Sequence, residues 1–311
     1  MACSKLTSLR LLHRKTWLRN SVIVQQNRTF LSESFNLKTE WNDRLKATLF
    51  SKIDMDQYFI DIDRQYARTK SVSHIDLDIF ANAVLLSKTE GTVSASQDLE
   101  TRFEQMEELL RRFRNTPETI KLLDSTSHAV VRGYLDGAFT DSLMRILNDR
   151  LKFGLILDDY TNILLLNHYL QNGNLRDAAK SAILMMLQEE YDVPIAKEMA
   201  MYATYKYILS LKNVTEESEP WNPQPEPVVP EPEDEVLVRV AEVENPDFDD
   251  HFDLEKREHL LGKTLLKFAQ NDPNLTNPDL KNSLRLLGSV FFEKWSIVEE
   301  ICQEKSGKCG N

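Results

Sequence analysis

Glycine is scarce, with 9 in 311 residues. That shortage tells against glycine-rich nucleotide-binding loops and turn-dense β-sandwiches, and favours helix. Cysteine is scarcer still. Cys3, Cys302 and Cys309 are too few for a disulfide framework or a four-cysteine zinc site. Long apolar runs are missing too: the run Ile163–Leu166 is broken at once by Asn167 and His168, so no membrane span is expected. Positive charge is in deficit, with 38 basic residues against 49 acidic ones and a net charge of −11. The chain as a whole is therefore no polycation built to coat nucleic acid. What remains is an apolar fraction of 41%, enough to give a 36.0 kDa chain a real core.

The overall charge hides unlike segments. Residues 1–30 carry Lys5, Arg10, Arg14, Lys15, Arg19 and Arg28 and no acidic residue, with Leu6, Leu9, Leu11, Leu12, Trp17 and Leu18 between them. A basic, acid-free, amphipathic start has the composition of a mitochondrial transit peptide. Arg28-Thr29-Phe30 before Leu31-Ser32 looks like its cleavage site, and removal would leave 32 basic against 49 acidic residues, net −17. A second segment, residues 212–253, holds 14 acidic residues and seven prolines against the basic pair Lys212 and Arg239. Proline removes backbone donors and the acids repel, so this stretch reads as a disordered acidic Pro-rich linker. Its charge accounts for most of the excess and leaves a nearly balanced body.

That body, residues 31–211, reads as helix after helix, and residues 254–305 as further C-terminal helices. Apolar spacing predicts helices from Phe103 to a stop near Pro117, then over Ile120–Leu135, Phe139–Phe153, Tyr160–Leu170, Leu175–Tyr191 and Ile195–Leu211. Less sharply bounded helices are expected around Trp41–Leu49, Met55–Ala67 and Ile75–Leu86, and Val236–Val240 is the one strand-like run. The helices pair with a period. Tyr134-Leu135 and Tyr169-Leu170 lie 35 residues apart, as do Ser142-Leu143 and Asp177-Ala178, and Pro194-Ile195 opens another unit 35 beyond Asp159-Tyr160. Two helices per 34–35 residues mark tetratricopeptide and pentatricopeptide solenoids. The pattern around Leu164, Leu165, Tyr169, Gly173-Asn174 and Asp177-Ala178-Ala179 fits the second. The expected fold is all-α, a pentatricopeptide-like solenoid of helical hairpins.

Catalytic chemistry finds no foothold. Gly262-Lys263-Thr264 resembles the end of a phosphate-binding loop, but Arg257 stands where the first glycine is required. The histidines lack metal-ligand spacing. The carboxylate pairs Asp54/Asp56, Asp61/Asp63, Asp76/Asp78 and Asp158/Asp159 read mostly as helix-start residues. No catalytic residue, cofactor, metal or small-molecule substrate is expected. Nucleic-acid contact is the more promising chemistry. Arg111, Arg112 and Arg114 surround Phe113, and Arg145, Arg150 and Lys152 close the Phe139–Phe153 helix. Such residues hold phosphates; they also sit at helix C-termini, where the dipole favours cations by about 0.3–1 kcal/mol.

Taken together, these residues resemble the mitochondrial small-ribosomal-subunit protein 27 family, which is of pentatricopeptide type. The resemblance lies in Leu31-Ser32, Phe35, Trp41 and Arg44, in Lys152-Phe153-Gly154, Asp158-Asp159 and Asn162–Leu165, in the Asn174–Ala178 turn, and in Met185-Met186, Gln188-Glu189 and Val193-Pro194. After the linker, Leu265–Ala269 and Leu284, Leu287-Gly288 and Val290 look like the family's later helices. The resemblance implies a structural role in the mitochondrial matrix, within the small ribosomal subunit. It also implies contacts with small-subunit rRNA, for which Arg111, Arg112, Arg114, Arg145, Arg150 and Lys152 are the candidates, and with neighbouring ribosomal proteins. The other readings are a free matrix pentatricopeptide RNA-binding factor in RNA processing, stability or translation, and a protein-only scaffold. Two departures stand out: the acidic proline run has no counterpart in the family, and the family continues past the equivalent of Trp295 into a further acidic and helical region.

Overall fold

In the computed structural model, residues 31–48, 50–85, 93–189, 191–211, 254 and 256–308 are described. The expected transit peptide (1–30), the expected linker (212–253) and the strand-like Val236–Val240 lie outside them. Every regular element among the described residues is helical. Two short N-terminal helices, α1 (Glu33–Asn36) and α2 (Lys38–Asp43), precede α3 (Met55–Thr69), α4 (His74–Ala83) and α5 (Val93–Arg114). Then follow α6 (Asp124–Asp136), α7 (Thr140–Asn148), α8 (Arg150–Phe153), α9 (Asp159–Gln171), α10 (Leu175–Leu187) and α11 (Pro194–Leu211). The chain ends with α12 (Arg257–Asn271), α13 (Pro278–Phe291) and α14 (Trp295–Lys308). Side-chain caps start many of them: Asp54, Ser73, Asp158, Asn174 and Asn277 each accept from a first-turn N–H.

Two sequence expectations change. The single helix expected over Phe139–Phe153 is two, because Asp149 leaves the helical region (φ −98, ψ 68) and its carboxylate caps α8 through Lys152 N–H at 3.1 Å. Leu151, which continues the helical spacing of Leu143, Ile146 and Leu147 and would share their apolar face in an unbroken helix, is consequently 87% exposed. The helix expected from Ile120 starts at Asp124, because Pro117–Lys121 forms a 3-10 turn first.

The 35-residue spacing has a concrete counterpart in the turns. At the end of α6, Phe139 N–H donates to Tyr134 C=O at 3.0 Å and Ala138 turns left-handed (φ 61). At the end of α9, Asn174 N–H donates to Tyr169 C=O at 2.9 Å and Gly173 turns left-handed (φ 72). Both are the six-to-one closure of a helix by a left-handed residue. The same closure joins α13 to α14, where Lys294 N–H donates to Ser289 C=O at 2.9 Å across Glu293 (φ 59). No period in the sequence had pointed to that third hairpin. Tyr134, Tyr169, Met186 and Leu164 are all buried.

The pairs pack on one another. First helix meets first helix, α9 lying against both α6 and α11, while α10 meets α7 and α12. Although residues 212–253 separate α11 from α12 in sequence, these two helices pack together. A buried ion pair fastens them: Lys197 Nζ stands 3.9 Å from Asp272 Oδ1 and donates to Asn271 C=O at 3.3 Å. The most extensive contact is between α12 and α13, and it explains the Gly262-Lys263-Thr264 sequence. A Cβ on Gly262 would sit 2.5 Å from Phe292 N and 2.6 Å from Gly288 O, and one on Gly288 would sit 2.8 Å from Gly262 O. Those glycines let two helix backbones touch. Lys263 is buried, its ammonium 5.4 Å from the Phe292 ring. A phosphate could not reach it there.

The N-terminal residues form a strap across the first hairpins. Trp41 Nε1 donates to Asp136 at 2.6 Å, Tyr160 O–H donates to Phe35 C=O at 3.2 Å, and Arg132 donates to Asn36 C=O and to Tyr160. Arg44 stacks 3.0 Å over the Trp41 ring and donates to Asn82 C=O on α4. Burial, with Arg132 close by, lowers the Arg44 pKa to about 10 although Asp136 opposes the fall. Leu31, at the expected mature terminus, is buried in the core.

Candidate nucleic-acid interface

Five of the six candidate cations, all but Arg150, gather where the C-terminal end of α5 meets α3, α7 and α8. They do not form one open patch. Helix α5 carries Glu104, Glu107 and Glu108 one to two turns before its arginines, and pairs three or four residues apart share a helix face. Glu108 therefore binds both Arg111 and Arg112, the latter at 2.6 Å. Arg112 reaches further, to Asp63 of α3 at 2.7 Å, with its guanidinium 4.7 Å over the Tyr66 ring. Burial opposes its charge, yet the hydrogen bonds it donates to Asp63 and Glu108 win and raise its pKa above the ordinary arginine value. Arg112 thus ties α3 to α5.

Arg145 of α7 is held by both carboxylate oxygens of Glu107, each at 2.6 Å, and stays half exposed. Arg111, Arg145 and Lys152 line one shallow depression of about 240 Å³, walled by the three glutamates and floored by Phe153. A neighbouring depression of about 290 Å³ lies between Arg111, Arg112, Tyr66 and Asn115. Arg150 points elsewhere, donating to Leu184 C=O at 2.9 Å and to Gln188 Oε1 at 3.1 Å, and so joins α8 to the end of α10. Arg114 is exposed and lies along Gly154, whose left-handed conformation (φ 67) ends α8; a Cβ there would meet Arg114 Cδ at 2.4 Å. Lys152 is also exposed.

Chemically, the six separate into two kinds. Arg112 and Arg150 are engaged in holding elements together. Arg111 and Arg145 are half exposed and share their charge with glutamates, while Arg114 and Lys152 make no ion pair among the described residues. A ligand phosphate can meet the last four at their exposed guanidinium and ammonium edges. Asp63, Tyr66, Glu107 and Glu108 are members of this site that the sequence did not assign to it. The Glu108–Arg111 and Glu108–Arg112 spacing was readable in sequence; the Glu107–Arg145 and Asp63–Arg112 pairs, 38 and 49 residues apart, were not. No group of three or more His, Cys, Asp or Glu side chains among the described residues is arranged to hold a metal ion. None of their helices is long and apolar enough to cross a membrane.

A comparison with known families gives the setting for this surface. A family model described as mitochondrial 28S ribosomal protein S27 matches residues 1–308.

Proposed function

The chain belongs to the mitochondrial 28S ribosomal protein S27 family, which makes it a small-subunit protein of the mitochondrial ribosome, and from that premise we propose that it is a non-catalytic structural component of that subunit. In this reading residues 1–30 direct import to the matrix and are removed, and the paired helices form a pentatricopeptide-like solenoid. The solenoid bridges small-subunit rRNA and neighbouring ribosomal proteins. Arg111, Arg114, Arg145 and Lys152 meet rRNA phosphate, whereas Arg112 and Arg150 brace the surface that presents them. The family match carries the proposal. The 35-residue recurrence of the Tyr134 and Tyr169 turns supports the solenoid, since stacked hairpins give the extended faces that a bridging protein needs.

The test is sedimentation of mitochondrial lysate on a sucrose gradient at moderate salt. A structural component follows the small subunit and the monosome in stoichiometric amount. A free matrix RNA-binding factor would instead stay near the top or follow a ribonuclease-sensitive pool, and that result overturns the proposal.

A further inference from the structure

Immediately beyond the cationic surface, the chain turns apolar in an unexpected place. Ile120 sits in a 3-10 turn and is 95% exposed; Leu123 before α6 is 39% exposed and Ile75 in the first turn of α4 is 54% exposed. Single exposed aliphatics are ordinary, but a contiguous group is not. Two clamps place these three on one edge. His74 contacts Glu118 at 2.8 Å, and Asp78 accepts from Ser125 at 2.6 Å and from Thr126 at 2.8 Å. Residues 118–125 are thereby pinned at both ends to the N-terminal half of α4, with Ile75 between the clamps in sequence.

The turn is anchored as well as exposed. Thr119 Oγ1 donates to Phe113 C=O at 2.7 Å, holding it against the last turn of α5, and Leu122 packs inward on the core. Ile120 and Leu123 are therefore the outward members of an ordered turn.

The charge around this edge selects the partner. Glu118 is matched by Lys121 at 2.8 Å and by His74. The Asp76 and Asp78 carboxylates accept from the hydroxyls of Tyr58, Ser125 and Thr126, and among the described residues neither forms an ion pair. Asp124, beside Leu123, is exposed at the start of α6. Aliphatic side chains ringed by unmatched carboxylates repel a phosphate backbone and attract a cationic peptide.

We propose that Ile75, Ile120 and Leu123, ringed by Asp76, Asp78 and Asp124, form a docking edge for a basic polypeptide segment of a neighbouring small-subunit protein, one that carries apolar side chains flanked by lysine or arginine. This rests on the ribosomal reading above. It divides that reading's contacts into a cationic surface for rRNA and an acidic-apolar edge for protein.

The experiment places the photo-crosslinker p-benzoylphenylalanine at position 120 of the full chain and irradiates small subunits purified from mitochondria. The expected product is a crosslink to a ribosomal protein within a few residues of lysine or arginine. A crosslink to rRNA, one to a second copy of the chain, or none on subunits that contain the chain overturns the proposal. Asp124→Lys in the same background should cut the crosslink several-fold at low salt while the chain stays on the subunit, and an unchanged yield counts against it. Absence of the chain from the subunit in the sedimentation experiment removes the ribosomal reading itself. Loss of the crosslink on chain-containing subunits removes only this edge.

Discussion

The stack of hairpins from α6 to α14 and the charged surface between α3, α5, α7 and α8 are held by different physics. In the stack, cohesion comes from buried aliphatic side chains, repeated helix closures and two glycines that bring backbones into contact. At the charged surface, cohesion comes from half-exposed ion pairs such as Arg145–Glu107 and Arg111–Glu108. Surface pairs of this kind contribute only about 0–1 kcal/mol each. Stability should therefore reside in the stack, and binding at the charged surface. Substitutions in the two regions ought to fall on different readouts.

The largest effect is expected from Leu164→Asp. Leu164 is buried in α9, which packs against α6 and α11, so the variant leaves an unpaired carboxylate in the core and should cost several kcal/mol. Chemical denaturation that returns a wild-type midpoint would break the assignment of α9 to the centre of the stack. Next comes Gly262→Ala. The new methyl meets backbone atoms of Gly288, Phe291 and Phe292, at the end of α13, at 2.5–2.8 Å, so the helices must separate, at about 1–3 kcal/mol for such overpacking. An unchanged melting temperature would mean that the α12–α13 crossing is looser than drawn. The third effect is smaller and of opposite sign. Ala138 adopts the left-handed conformation that Gly173 adopts at the equivalent turn, and a side chain there costs about 1–2 kcal/mol. Ala138→Gly relieves that strain, less the backbone freedom glycine brings to the unfolded chain, about 0.5–1 kcal/mol. A net gain of about 0–1.5 kcal/mol by chemical denaturation is expected, and a clear loss would contradict the shared turn geometry.

These cases also mark how far the residues alone could be read. The hairpins were legible because period and turn chemistry act locally: Gly173-Asn174 announces its turn, and Tyr134 and Tyr169 mark equivalent positions. The α13–α14 hairpin was not seen as one because Glu293 occupies the left-handed site without the usual glycine. Likewise, the break at Asp149 was hidden because the apolar spacing continues through it to Leu151. The charged surface was legible as a list of cations and illegible as a site. Which arginines are engaged depends on Asp63 and Glu107, contributed from other parts of the chain, and on the folding back of Arg150 toward Leu184. The docking edge at Ile120 was invisible in sequence, where that residue read as the start of a helix face.

The contrast between stack and charged surface is tested most directly by replacing Arg111, Arg114, Arg145 and Lys152 together with glutamine. Glutamine keeps helix propensity, so the variant should melt within a few degrees of the parent chain. Association with the small subunit, followed by sedimentation across a salt series, should weaken and lose part of its salt dependence, since each lost phosphate contact removes nearly one released counterion. A folded variant that stays on the subunit with the parent's salt profile would contradict phosphate contact at this surface.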